Sequence, residues 1–313
     1  MPENLKIAML CNSKMAFPTL HSLHAAGVLC SLATADTDRE VVNMARETAR
    51  QYNVPYCCFT KEGLERQMLT WLDETKPEAV FVVTFPWKIS ETVLETPEFG
   101  FINFHYGLLP EMRGADPIFE SIRNRKPIAG VTVYSMDGGW DTGPIIYREQ
   151  IPLMPDFTYG MLSSHLSQMS EQLCRRLVSA LKNGAFPESV AQDETKAQYW
   201  PRVGEDAITL NWNEMDAETI FAIVRSCNPI TKGAPVALKG WKIGICDVSD
   251  VNLQGDASAI APGTILAIDA QNGLIVCCKG GKAVRIEVIY TAEGIFPGHK
   301  LSFFGFAPGM VFG

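Results

Sequence analysis

Apolar and polar positions run along this chain in two textures. Up to about residue 183, short apolar runs alternate with stretches of helical period. The runs at residues 5–11, 28–34, 54–59, 78–85, 101–105, 130–134 and 146–153 predict strands. The intervening stretches 18–26, closed by Gly27, and 36–52, 62–74 and 158–183 predict helices. Within 36–52, Val41, Val42, Met44, Ala45 and Ala49 make a partial apolar stripe. The longest helix carries Met161, Leu162, Leu166, Met169, Leu173, Leu177 and Leu181 at helical spacing, with His165 read as a structural histidine near that stripe. The run 78–85 is apolar enough to be covered on both faces, the mark of a central parallel strand. Strand and helix in alternation predict a doubly wound parallel sheet.

A polar, irregular stretch at 191–204 that holds Pro201 reads as a linker, and beyond Pro229 the texture changes. A helix at 217–227 is followed by short runs at 235–238, 242–248, 263–269, 274–278 and 284–290, separated by Gly and Pro turns. That spacing predicts a small β-barrel. The expected fold is therefore α/β: a Rossmann-like, doubly wound, mostly parallel domain over residues 1–203, and a smaller barrel-like, OB-like domain over residues 204–313.

Composition narrows the function. With 27 Lys and Arg against 35 Asp and Glu, the net charge of −8 argues against a nonspecific grip on nucleic acid or on an anionic membrane. No apolar run has the length of a membrane span. The opening Met1-Pro2-Glu3-Asn4-Leu5-Lys6 lacks a leader layout, and a cytoplasmic protein is expected. The nine cysteines are scattered, with adjacent pairs at Cys57-Cys58 and Cys277-Cys278, and read as free thiols. Their spacing offers no zinc site, and no metal is expected. The first strand-to-helix turn lacks the G-x-G-x-x-G fingerprint and no P-loop occurs, so nicotinamide chemistry is disfavoured.

The stretch 101–145 carries the chemistry. On the strand 101–105, Asn103 and His105 share one face while Ile102 and Phe104 share the other. The strand 130–134 runs into a glycine-rich turn that ends at Asp141. An amide, an imidazole and a carboxylate can thus meet at the carboxyl end of a sheet, where open α/β sheets place ligands. Together they form an apparatus for attack of an amine on a carbonyl: a base, an orienting acid and a donor to an oxyanion. No serine or cysteine nucleophile sits at a comparable elbow, which favours direct transfer. On spacing alone a second reading stands beside this one, in which His105 is a satisfied core group.

The motif Asn103-x-His105-x-Gly107-Leu108-Leu109-Pro110, then Arg113-Gly114, Pro117-Ile118, Gly130-Val131-Thr132 and Asp141-Thr142-Gly143-Pro144-Ile145, resembles the 10-formyltetrahydrofolate-dependent formyltransferases. Their branches act on methionyl-tRNA, on sugar nucleotides and on glycinamide ribonucleotide. The stretch 225–235, RSCNPITKGAP, resembles the start of the C-terminal domain of the tRNA branch. The resemblance implies that Asn103 holds the formyl oxygen, His105 manages the proton and Asp141 tunes His105. It implies a folate cleft formed by Trp87, Lys88, Ile89, Gly107, Leu108, Leu109, Pro110, Asp137, Gly138, Gly139 and Trp140. It places Asn12, Lys14, Met15 and Tyr106 toward the acceptor. 10-Formyltetrahydrofolate is the implied co-substrate, and a homodimer is compatible with the resemblance.

Departures bear on the acceptor. The family usually has serine where Gly107 stands and a smaller residue where Tyr106 stands. The turn Asn12-Ser13-Lys14-Met15 lacks the family's Gly-Thr/Ser-x-x-Phe pattern. The tRNA branch carries a basic insertion after its second strand, whereas residues 34–40 here are short and acidic. The expected acceptor is therefore a small amine, such as an amino sugar on a nucleotide, with methionyl-tRNA as the alternative. A formyl-folate hydrolase or a silent folate binder is the further alternative. Arg113, Arg123, Arg125 and Lys126 are read as a solvated basic helix end that could instead meet phosphates.

Overall fold

A computed structural model describes residues 5–238, 240–253 and 257–313. The opening Met1 to Asn4, read above as no leader, lies outside the described residues. In chain order the elements are β1 (Ile7–Cys11), α1 (Phe17–Ala25), β2 (Leu29–Ala35), α2 (Arg39–Tyr52), β3 (Tyr56–Phe59), α3 (Leu64–Thr75), β4 (Ala79–Val83) and α4 (Glu91–Leu94). There follow β5 (Phe101–His105), β6 (Arg113–Gly114), α5 (Pro117–Arg123), β7 (Ile128–Ser135), β8 (Ile145–Pro152), α6 (Tyr159–Lys182), β9 (Tyr199–Trp200), α7 (Glu205–Ile208) and α8 (Ala217–Cys227). The last strands are β10 (Ala234–Leu238), β11 (Trp241–Asp250), β12 (Ile265–Asp269), β13 (Gly273–Cys277), β14 (Ala283–Thr291) and β15 (Gly294–Pro297).

The chain divides into two compact units. The first runs to Pro117 and adds Ile128–Ile151 and Ser163–Pro201. Its seven-stranded sheet has the order β3-β2-β1-β4-β5-β7-β8, so the winding reverses between β1 and β4. β1 pairs in parallel with both β2 and β4, and β4 with β5, while β7 runs antiparallel to β5. All five residues of β1 and of β4 are buried, as expected of central strands covered on both faces. One wall of the core joins Val80, Val82 and Phe101 to Phe59, Met68, Trp71 and Leu72. The indole N–H of Trp71 donates to Ser31 Oγ at 2.7 Å, which satisfies a polar atom that burial would otherwise strand.

The helix expected from residue 36 starts three residues later. Asp38 is extended and its carboxylate accepts from the backbone N–H of Glu40 (2.9 Å) and Val41 (3.2 Å), so it caps α2 rather than joining it. Residues 191–201 are not a free linker. Tyr199–Trp200 pairs with Arg113–Gly114, and the segment is tied into the first unit by bonds described below. His165 is exposed on α6, while Leu166, Leu173, Leu177 and Leu181 of the stripe are buried.

The second unit is formed by Ile118–Pro127, Pro152–Leu162 and Arg202–Gly313. Its antiparallel sheet has the order β10-β11-β14-β13-β12, with β15 on β14. The last residues of the chain bridge the two edges. Val311 pairs with Thr264 beside β12, and the N–H of Gly313 donates to the carbonyl of Ala237 on β10 at 3.1 Å. These two contacts close the sheet in barrel fashion. Trp212, Leu274, Val284, Ile286 and Phe312 fill the interior, α8 adds Ile220 and Val224, and Phe119 joins them. The strand β15 was not expected from the sequence. The cysteines are free thiols, and no helix among the described residues is long and apolar enough to cross a membrane.

Candidate active site

Pairing of β5 with β7 builds the centre of the site. Asn103 lies opposite Tyr134, and His105 opposite Thr132. The Asn103 amide donates to the Tyr134 hydroxyl at 3.1 Å, and that hydroxyl donates to Asp141 Oδ1 at 2.9 Å. His105 Nδ1 stands 3.7 Å from the same carboxylate oxygen. The other oxygen, Oδ2, accepts from the backbone N–H of Gly114 at 2.9 Å. The three residues picked from the sequence therefore converge, with Tyr134 between two of them. Tyr134 is 3 % exposed, and burial, followed by the nearby Asp141 charge, pushes its phenol well above the usual tyrosine range.

The His105 ring is buried and its orientation is fixed. Its Nε2 lies 2.7 Å from the carbonyl of Met112. A carbonyl can only accept, so Nε2–H donates and the basic position left to the neutral ring is Nδ1, on the Asp141 side. Thr132 holds the following turn: its hydroxyl donates to the carbonyl of Gly107 at 2.7 Å and accepts from the N–H of Leu109 at 3.1 Å.

A brace supports Asp141 from outside. Asp141 has φ +57°, an uncommon conformation for a residue with a side chain. The Gln192 amide donates to the carbonyls of Asp141 (2.9 Å) and Gly143 (2.8 Å). The oxygen of Gln192 in turn accepts from Arg113 at 2.8 Å and 3.1 Å. Arg113 also pairs with both oxygens of Glu194, at 2.6 Å and 2.9 Å. Arg113 is thus buried and paired, not part of a solvated basic end as expected. A planar fork of donors meets a carboxylate and an amide in one plane, a role that lysine fills poorly.

A cavity of about 540 Å³ is lined among others by Trp87, Lys88, Ile89, Ser90, Met68 and Trp140, the last being the chain neighbour of Asp141. Of the expected cleft residues, these include Trp87, Lys88, Ile89 and Trp140. Gly107, Leu108, Leu109 and Pro110 are buried and are not among the lining residues. Asp137 binds its own loop, accepting from Gly139 N–H at 3.0 Å and from the Thr142 hydroxyl at 2.5 Å. A Cβ on Gly138 would lie 2.1 Å from Oε1 of the exposed Glu91, whose side chain would have to swing away. Two hydroxyls near this wall, Thr84 Oγ1 and Ser90 Oγ, are buried without a hydrogen-bond partner. Thr84 follows β4 at the point where the winding reverses, with φ +58°. A β-branched residue held there is strained, and such strain gathers at ligand sites.

The residues expected toward the acceptor are tied down. Tyr106 is buried and donates to the carbonyl of Met15 at 3.2 Å, which also accepts from Ser167 at 2.6 Å. Asn12 donates to the Thr37 hydroxyl at 2.6 Å and accepts from Ala35 N–H at 3.2 Å. Lys14 pairs with Glu40 at 2.6 Å on the surface. The opening turn is therefore knitted to the short acidic segment that follows β2.

Sequence reasoning missed Tyr134, Thr132, Gln192, Thr84 and Ser90. The signal for the first two was present, because alternation puts Thr132 and Tyr134 on one face of β7.

Comparison with known proteins decides the family. Residues 22–178 match the formyl transferase family, and residues 204–295 match the formyl transferase C-terminal domain. The chain belongs to the formyl transferase family. The methionyl-tRNA formyltransferase of Halothermothrix orenii is 35 % identical over 223 residues, covering 70 % of this chain and 69 % of its own. Among solved structures, the sugar 3N-formyl transferase WlaRD, determined with dTDP and 5-N-formyl-THF, superposes with TM-score 0.66 at 18 % identity over 90 % of this chain and 96 % of its own. HypX from Aquifex aeolicus, solved with tetrahydrofolic acid, gives TM-score 0.65 at 15 % identity over 96 % of this chain. The formyltransferase spans 47 % of HypX. At these identities the two structures speak for the fold. The enzyme is a formyltransferase.

Proposed function

We propose that the enzyme moves the formyl group of 10-formyltetrahydrofolate onto a primary amine by direct attack, with Asn103, His105 and Asp141 as working groups. The observation that carries this reading is the convergence of the three side chains at the carboxyl end of β5: Asn103 reaches Asp141 through the Tyr134 hydroxyl, and His105 Nδ1 stands 3.7 Å from the same carboxylate oxygen. The amine nitrogen bonds to the formyl carbon, and Asn103 donates to the oxygen as it becomes negative. His105 takes the ammonium proton at Nδ1, and the Asp141 carboxylate stabilises the resulting imidazolium. The bond from the formyl carbon to N10 then breaks, and a proton returns to N10. The cavity lined by Trp140 suits the donor: aromatic walls for a flat ring, and exposed Lys61 and Lys88 for anionic carboxylates.

For the acceptor we infer the α-amine of methionyl-tRNA, on the kinship with methionyl-tRNA formyltransferases. This reverses the order read from the sequence, which put a small amine first. The small amine keeps a specific observation in its favour. The turn between β2 and α2 is residues 36–38, with acids at Asp36 and Asp38, and Glu40 neutralises Lys14 next to it. With Lys14 paired and the exposed Arg39 standing among Asp36, Asp38 and Glu40, that surface is net acidic toward a phosphate backbone.

Tetrahydrofolate release from 10-formyltetrahydrofolate tests both readings, with charged initiator tRNA and with a panel of nucleotide-linked amino sugars. Release that requires the tRNA supports the first. Release only with an amino sugar replaces it with the second. Release with no amine present would make the enzyme a hydrolase, and no release under any condition would overturn the transfer reading.

A further inference from the structure

One hydrogen-bond chain links two groups that the reaction uses differently. It runs from the Asn103 amide through the Tyr134 hydroxyl to Asp141 Oδ1, at 3.1 Å and 2.9 Å. A phenol has a single hydrogen, and an ionised carboxylate only accepts. While Asp141 is ionised, the Tyr134 hydrogen is committed to it. The phenol oxygen can then only accept, so the NH₂ of Asn103 must face Tyr134. This fixes where the second N–H of that NH₂ points. If Asp141 takes a proton, the chain can reverse: the acid O–H donates to the phenol, and the phenol donates to the Asn103 carbonyl after the amide flips. The NH₂ then leaves the position it holds in the structure.

We propose that Tyr134 is a positioning residue that ties the orientation of the Asn103 amide to the charge on Asp141. The inference rests on the transfer reading above and adds a residue to it. Tyr134 touches no reacting atom in this account; it acts through Asn103. The arrangement makes the oxyanion donor and the base work in the same protonation state. The ionised Asp141 that supports an imidazolium at His105 also holds the amide ready for the formyl oxygen. The charged and titratable groups around Asp141 are His105 from β5, Arg113 from β6 with its partner Glu194, and Asp137 in the same loop; the Gly114 N–H supplies the remaining donor. Arg113 is locked to Glu194 and Gln192, and Gln192 reaches only the backbone carbonyl of Asp141, which leaves Tyr134 as the one neutral side chain whose donor reaches the Asp141 carboxylate among the bonds described above.

The test is Tyr134→Phe in the full chain, which removes the hydroxyl and keeps the ring. The turnover number is expected to fall about tenfold or more, with the KM for the donor changed by no more than about twofold. The acid limb of the pH–rate profile is expected to move to higher pH by about one unit, because the ionised carboxylate has lost a hydrogen bond. A residue that merely fills space would lower the rate at every pH and leave the limb in place. Site-specific 3-fluorotyrosine at position 134 makes a stronger donor of the same size and is expected to move the limb the other way. Both limbs unmoved would overturn the proposal. Should Tyr134→Phe fail to fold, the fluorotyrosine protein carries the test alone. An inactive parent enzyme would sink the transfer reading; ¹⁵N titration of the His105 ring in the unliganded protein then shows whether either substitution shifts the coupled titration, and an unshifted titration overturns Tyr134 by itself.

Discussion

Gly107 and His105 compete for one space: a Cβ built on Gly107 would lie 2.9 Å from His105 Nε2. The same Cβ would lie 2.7 Å from Pro117 Cβ and 3.0 Å from Met112 Cβ. A serine at this position therefore does not fit with the ring as it stands here. Glycine at 107 leaves room for the ring orientation in which Nε2–H meets the Met112 carbonyl and Nδ1 faces Asp141.

Gly107→Ser should accordingly displace the ring or strain its surroundings. Overpacking of a close-packed site costs about 1–3 kcal/mol. We expect a lower urea midpoint with an unchanged m-value, and a loss of turnover larger than the loss of donor affinity. A variant as stable and as active as the parent would show that the ring and the turn give way freely.

Removing the imidazole tests the chemistry directly. His105→Ala is expected to lower formyl transfer by at least about 10²-fold, the scale of a lost acid–base group. Donor binding, followed by quenching of the cavity tryptophans Trp87 and Trp140, should persist, because neither lies in the His105 unit. Near-normal turnover in this variant would remove His105 from the mechanism.

Buried thiols set an alkaline limit on stability. Burial pushes Cys11 from the ordinary 9.0 up to about 12, and Cys278 likewise to about 12. A group raised in this way contributes stability that is full below the unfolded value and is lost as pH rises toward the folded one, because the unfolded chain then binds fewer protons. The urea midpoint should fall progressively between pH 9 and about 12. Cys11→Ala should flatten part of that fall, and a midpoint independent of pH over this window would contradict the burial argument.

Much of the molecule was legible in the chain. Periodicity reports which positions are covered, so the strand runs, the long helix over 158–183 and the change of texture after 229 were readable from local pattern. The alternation at 101–105 singled out Asn103 and His105, and the ordered motif joined Asp141 to them. Sequence kinship places the chain among the formyl transferases.

What local pattern could not carry is anything set by pairing across strands or by a distant segment. Tyr134 became part of the site only because β7 runs antiparallel to β5 in a register that puts it opposite Asn103. Gln192 and Glu194 looked like a polar linker, and only the fold brings them 79 and 81 residues back in sequence to Arg113. The burial of the Thr84 and Ser90 hydroxyls without a partner is likewise set by packing and not by local pattern. Side-chain chemistry and its period are properties of neighbouring residues; strand register, close approach and the hydrogen bonds that orient an amide belong to the tertiary structure, and these decided how the site is held.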